Sequence, residues 1–236
     1  MSEEQKRVAL VTGSRTGIGR YLAEHFLNSG LSVVGCSRTP SDLVAPGYQH
    51  HLVDVGDETQ VVEMSRAIGR QFGRLDILIN NAGIASMNSA LLTPLSSAES
   101  VLRTNFLGSF VVARESAKLM MRHRTGRIVS FSSVAVPLRL EGEAIYAATK
   151  SAVESLTRVL AKELVRYGIT VNAIGPAPVK TELTRSIPAD QMTALLEHLP
   201  LPRFTTLEEI AHVVDFLIHP SSDGVTGQIL YLGGAG

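Results

Sequence analysis

Tyr146 and Lys150 stand four residues apart in the stretch YAATK, residues 146–150. On a helix, residues i and i+4 are neighbours on one face, so this spacing sets an ammonium beside a phenol. A free tyrosine has a pKa near ~10, a poor match to proton transfer at neutral pH in either direction. At roughly 5 Å and an effective dielectric of about 20, a phenolate and an ammonium attract by roughly 3 kcal/mol, on the order of two pKa units. The pair therefore has the makings of a general acid/base. The plainer reading is that Tyr146 packs and that Ala147 and Ala148 merely favour helix.

A second chemical stretch is TGSRTGIG, residues 12–19. Its glycines fall at Gly13, Gly17 and Gly19, a wider first gap than in G-x-G-x-x-G. The physics is shared: glycine lets a backbone turn tightly against a diphosphate, and a helix N-terminus supplies free N–H groups and a positive dipole end. Ser14, Arg15, Thr16 and Ile18 complete the turn. About 20 residues further on, an NAD site carries an acidic residue for the adenosine ribose. Here that place reads Cys36-Ser37-Arg38-Thr39, without a carboxylate. An arginine there would pair instead with a 2′-phosphate, and Arg15 could join it, so NADP(H) is favoured over NAD(H).

The elements that must position these groups follow from apolar patterning. Five continuous apolar runs, at 8–13, 31–37, 75–83, 127–133 and 169–176, suit strands buried on both faces of a parallel sheet. Shorter runs at 50–55 and 228–234 bring the expected total to about seven. Ile18, Leu22 and Phe26 form a helical stripe stopped by Gly30, and Val61, Met64, Ile68 and Phe72 form another. Longer helical patterns cover 98–122 and 147–167, and a last one covers 206–218. This alternation predicts an α/β fold: a single-domain, Rossmann-type, doubly wound parallel sheet flanked by helices. No interdomain linker interrupts 1–236. The irregular stretch 176–205 holds five prolines and reads as a loop over the site, with about 177–203 facing the substrate.

Composition bounds the partners. The 22 basic and 22 acidic side chains balance, which argues against nucleic acid or an anionic membrane. Hydrophobic residues make up 44% of the chain, enough for a core without staples. Cys36 is the single cysteine, so no internal disulfide forms and a cytoplasmic setting is expected. The start, MSEEQKR, is polar, and no apolar run approaches the ~20 residues of a membrane span. No His, Cys and carboxylate cluster has metal-ligand spacing. Leu119, Met120 and Met121 read as core or subunit contact. Arg122, His123, Arg124 and Arg127 read as a solvated helix end, with docking of an acidic carrier protein as the functional alternative.

Together with NNAG at 80–83, these motifs make the chain resemble the classical short-chain dehydrogenase/reductase family over nearly its whole length. The style of MMRHRTGRIVSFSS and LAKELVRYGITVNAIGP is most like 3-oxoacyl-acyl-carrier-protein reductases. The resemblance implies that Tyr146 is the general acid/base and Lys150 its partner. Ser133, thirteen residues before the tyrosine, would hydrogen-bond the substrate oxygen, and Asn105 would hold a water in a proton relay. It further implies that Asp54 and Val55 contact adenine, that Asn81, Ala82 and Gly83 lie beside the adenosine ribose, and that Pro176, Val179 and Thr181 hold the nicotinamide end. Lys150 would reach the nicotinamide ribose. The expected activity is NADPH-dependent reduction of a ketone to a secondary alcohol, with a 3-oxoacyl thioester on acyl-carrier protein as one substrate. A secondary-alcohol dehydrogenase acting on a sugar, polyol or other small alcohol is the alternative, and a silent NADP-binding protein a third. A homotetramer or homodimer is expected. Departures from the family pattern are Ala177 after Pro176, Val136 and Pro137 after Ser-Val-Ala, and Leu232 where aspartate is common.

Overall fold

The computed structural model describes residues 6–85, 87–185 and 187–235. Most of the polar MSEEQKR start, Ser186 of the 177–203 segment and Gly236 lie outside the described residues. The strands are β1 (Val8–Thr12), β2 (Ser32–Ser37), β3 (Tyr48–Leu52), β4 (Ile77–Asn80), β5 (Gly126–Phe131), β6 (Ile169–Gly175) and β7 (Ile229–Tyr231). They form one sheet in the order β3-β2-β1-β4-β5-β6-β7, with every pairing parallel. Every residue of β1, β4, β5 and β6 is buried, which is why their sequences read as unbroken apolar runs.

The helices are α1 (Gly17–Asn28), α2 (Glu58–Phe72), α3 (Leu95–Leu102), α4 (Ser109–Met120), α5 (Ala135–Leu138), α6 (Ala144–Leu164), α7 (Ala189–Glu197) and α8 (Leu207–Ile218). The expected stripes do bury. Leu22 and Phe26 of α1 pack with Ile210, Val214 and Leu217 of α8 on one face. Val61, Met64 and Ile68 of α2 pack with Val112 and Met120 on the other. This is the doubly wound α/β fold expected from the alternation. Among the described residues, no helix is long and apolar enough to cross a membrane.

Three local expectations are corrected. The run at 50–55 overlaps its strand but is offset from it: β3 begins at Tyr48 and ends at Leu52, leaving Asp54 and Val55 beyond it. The pattern at 98–122 is not one α-helix, because a wider π-type turn over Arg103–Gly108 separates α3 from α4. The proline-rich 176–205 stretch is not wholly irregular, since Pro188 starts α7, where its missing N–H costs nothing.

The switch in strand order falls between β1 and β4, and the two strand ends are stitched there. Thr12 Oγ1 accepts the backbone N–H groups of Asn81 at 3.0 Å and Ala82 at 2.9 Å, and Asn81 Nδ2 donates to the Thr12 carbonyl at 2.9 Å. α1 is pressed onto this seam. A Cβ at Gly19 would lie 2.4 Å from the Gly13 carbonyl oxygen, a backbone atom that cannot yield. Gly19→Ala is therefore expected to destabilise by about 1–3 kcal/mol, a fall of roughly 2–10 °C in Tm for a domain this size. Gly224→Ala, where a Cβ would meet nothing within 4 Å, should leave the melting temperature unchanged in the same calorimetry.

Candidate active site

α1 starts without a local cap. Its N-cap Thr16 makes no side-chain capping bond and its first turn carries no acid. By contrast, Asp57 caps α2 and Thr206 with Glu209 forms a capping box on α8. The first N–H groups of α1 are thus left for an anion. The turn before it needs left-handed backbone at Gly13 (φ +68°) and Gly17 (φ +59°), which glycine adopts without strain. A groove runs from this turn past Arg38 and Asp54 to Asn81, Gly83 and Thr181. It shares Ile18, Asn81, Gly83 and Thr181 with a second cavity lined by Ser133, Tyr146, Lys150, Pro176 and Val179.

Most positions predicted to hold the dinucleotide therefore lie on one groove. Arg15, Thr16, Gly17, Ile18, Ser37, Arg38, Asp54, Val55, Asn81, Ala82, Gly83 and Thr181 line it. Two depart from the expectation. The Ser14 hydroxyl is fully buried and pairs with the Tyr48 hydroxyl at 3.1 Å, away from the groove. Gly19 is buried under the turn, so it allows close packing and makes no wall. Ser37 Oγ is already committed, donating to the Thr39 carbonyl at 2.6 Å and pairing with His50 Nε2 at 2.9 Å. Arg15 lies 3.7 Å from Glu182, and both side chains are exposed.

At the other end, Tyr146, Lys150 and Glu154 occupy successive turns of α6 and face Phe131, the last residue of β5, and the two serines that follow it. The Lys150 Nζ is buried and donates to the Phe131 carbonyl at 2.8 Å. The Ser132 hydroxyl donates to Glu154 Oε1 at 2.5 Å. The Ser133 and Tyr146 side chains line the same cavity, and Ser133 Oγ accepts the Ala135 N–H at 3.1 Å. Tyr231 of β7 also donates to Glu154 Oε1, and burial with the Glu154 contact pushes the Tyr231 pKa up. Glu154 and Ser132 were not foreseen, because a glutamate in a helix reads as surface and Ser132 is off the serine–tyrosine spacing.

The electrostatics reverse the simple pair argument. Burial pushes Tyr146 up to about 12, with the neighbouring Ser133 hydroxyl opposing and nearby Glu143 adding. Burial pushes Lys150 down to about 8. The Lys150 Nζ sits 5.7 Å from the Tyr146 ring centroid, and desolvation outweighs the mutual attraction in the protein alone. The Asn105 side chain is engaged with the protein. Its Oδ1 accepts the Ile84 N–H at 2.9 Å, and its Nδ2 donates to the Ile84 carbonyl at 2.9 Å and Thr149 Oγ1 at 3.3 Å. The π-type turn thus delivers Asn105 as a clamp on the segment after Gly83.

The expected basic cluster is dispersed. Arg127 is buried within β5 and ion-paired with Asp223. His123 pairs with the Gly73 carbonyl at 2.9 Å and Arg124 donates to the Arg166 carbonyl at 2.8 Å. All lie at the start of β5, the end of the sheet opposite the cavity.

A family model described as enoyl-(acyl carrier protein) reductase matches residues 13–234. The chain is 32% identical to 3-oxoacyl-acyl-carrier-protein reductase FabG of Salmonella typhimurium, covering 99% of this chain and 98% of that one. It is also 32% identical to the FabG of Escherichia coli, over 97% of this chain and 96% of that protein. Among solved structures, ligand-free aldohexose dehydrogenase of Thermoplasma acidophilum superposes with a TM-score of 0.90 at 28% identity, over 98% of this chain and 94% of that one. A variant of actinorhodin polyketide ketoreductase solved with NADPH superposes at 0.88 and 28% identity, over 99% and 98%.

The Lys150 shift has a measurable consequence. Between pH 8 and 10.5 the unfolded lysine still holds its proton while the folded one has lost it, so this group makes stability rise with pH across that window. Below it, the full cost of a buried cation is carried. The stability difference between the protein and its Lys150→Met variant should therefore move in favour of the unaltered protein as pH rises from about 8 to 10.5, read as paired thermal melts.

Proposed function

The chain belongs to the classical short-chain dehydrogenase/reductase family, and from that premise we propose that it reduces a ketone to a secondary alcohol with NADPH as hydride donor. The observation that carries the reading is the convergence of Ser133, Tyr146 and Lys150 on a cavity that shares a wall with the glycine-turn groove. The residues along that groove fit a dinucleotide: an uncapped helix start for the diphosphate, and Arg38 with Arg15 at the position of a 2′-phosphate. The chemistry NADPH supplies when bound is hydride transfer to the carbonyl carbon.

The chain's own part is proton and charge control. The substrate oxygen would sit against the Ser133 and Tyr146 hydroxyls, accepting a hydrogen bond from each as negative charge develops. Tyr146 then gives its proton to that oxygen. The cost is a buried phenolate, and an ammonium at about 5 Å offsets roughly 3 kcal/mol of it at an effective dielectric of about 20; the Lys150 Nζ lies over the Tyr146 ring. The Phe131 carbonyl holds the ammonium in place, and Asn105 positions the Ile84 segment beside it. Retention of the whole constellation argues against a silent NADP-binding protein.

For the substrate, a 3-oxoacyl thioester is the class suggested by the FabG relatives. The alternative of a sugar or polyol gains from one specific observation, the buried carboxyl group of Glu143 on the cavity wall. Assembly as a homodimer or homotetramer and a cytoplasmic location accompany the proposal as family expectations.

Tyr146→Phe should lower kcat by about 100-fold or more while NADPH still binds, measured by NADPH oxidation and fluorescence titration. Substantial turnover in that variant would sink the mechanism. Arg38→Ala should weaken NADPH by about tenfold or more and NADH far less, from loss of a charge-assisted bond. Equal losses would remove the 2′-phosphate argument.

A further inference from the structure

Glu143 is nine-tenths buried, and its Oε2 has no hydrogen-bond partner among the described residues. It lines the cavity that holds Ser133 and Tyr146. Most polar side chains of that wall are already matched: Ser132 to Glu154, Lys150 to the Phe131 carbonyl, Thr184 to the Val179 carbonyl. Much of the remaining wall is apolar, with Leu140, Leu183, Met192 and Leu195. A buried carboxyl oxygen without a partner is costly, and native structures keep few such atoms without a use for them.

The local backbone is built to deliver it. Arg139 (φ +51°) and Gly142 (φ +80°) both adopt left-handed conformations, turning the chain tightly between α5 and α6. Glu143 then occupies the N-cap position of α6, its carbonyl accepting the Ala147 N–H at 2.7 Å. Its side chain makes no capping bond and so is spent on the cavity, not on the helix. Glu143 precedes Tyr146 by three residues, a neighbouring position on the helix start. Its proximity is felt electrically, since it raises the proton affinity of Tyr146.

We propose that Glu143 is a specificity residue whose carboxyl group receives a hydroxyl of the substrate, borne one or two carbons from the reacting carbon. The favoured substrates are then hydroxy-ketones and, in the reverse direction, the corresponding diols. A plain ketone fills the same apolar wall but leaves the carboxyl group unmatched. A hydroxyl suits this group because it can donate to the unmatched Oε2 without bringing a second charge into an otherwise apolar wall. This inference rests on the ketone-reductase reading and narrows its substrate.

The test uses the full chain and NADPH with the matched pair cyclohexanone and 2-hydroxycyclohexanone. The unaltered protein should prefer the hydroxy-ketone by about tenfold or more in kcat/KM. Glu143→Leu should cut that ratio by about tenfold or more, chiefly through a higher KM for the hydroxy-ketone. Glu143→Gln, which keeps a donor and an acceptor, should retain an intermediate preference and carries the comparison if the leucine variant does not fold. Glu143→Leu should otherwise melt at or above the unaltered protein, because the unmatched carboxyl group is gone. No preference in the unaltered protein, or a ratio unmoved by either substitution, overturns the inference alone. Failure to turn over any ketone overturns the reductase reading and this inference with it.

Discussion

The hydrogen bond from the Lys150 ammonium to the Phe131 carbonyl is the fastening on which the rest of the site depends. A cation taken out of water must find a fixed acceptor, and a strand-end carbonyl is one that cannot swing away. The fastening also sets register. Phe131 at the end of β5 and Ser132 just after it engage Lys150 and Glu154, one turn apart on α6, and Ser133 and Tyr146 come to the same cavity beside them. Slipping the helix by one residue against the strand would break both hydrogen bonds together. The Tyr146 hydroxyl is thereby placed by a lattice of contacts and not by its own rotamer alone.

The groove for the dinucleotide is built on the opposite principle, by removing atoms. Gly13 and Gly19 let α1 descend on the β1–β4 seam until only a glycine fits between the Gly13 carbonyl and Asn81. A Cβ at Gly83 would come within 3.3 Å of Asn105 Oδ1 and 3.5 Å of the Lys150 Nζ. Lysine, asparagine and turn are therefore packed closely around Gly83. Closeness of backbone at one end and a dense hydrogen-bond mesh at the other meet at Asn81–Gly83, where the two cavities join.

The sequence disclosed what repeats or what is chemically unusual. Unbroken apolar runs gave the central strands because both sheet faces are covered. The glycine turn and the Tyr146–Lys150 spacing were visible because few ordinary helices need them. The π-type turn over Arg103–Gly108 was hidden, since one extra residue barely disturbs a helical stripe. Glu143 and Glu154 were hidden because carboxylates in helices read as surface, and only tertiary burial reveals them. The tyrosine pKa was misjudged for the same reason: a pairwise Coulomb estimate contains no desolvation, which here is the larger effect.

The departures at Ala177 and Leu232 show how the cavity wall can vary without disturbing the fastening. Ala177 is buried in a small satellite core with Val134, Leu199 and Ala235, against which Tyr231 also packs. A Cβ at Gly233 would lie 2.8 Å from the Ala177 methyl, so alanine at 177 and glycine at 233 are matched in volume. Leu232 turns to the opposite face and joins the packing of α1 and α8. The segment that shapes the cavity is thus anchored through β7 and its flanking glycines. Tyr231, the one residue common to the satellite core and the Glu154 mesh, links the two. Changes within 177–203 are free to alter what fits the cavity as long as that tyrosine keeps its hydroxyl on Glu154, which separates the choice of substrate from the machinery that moves the proton.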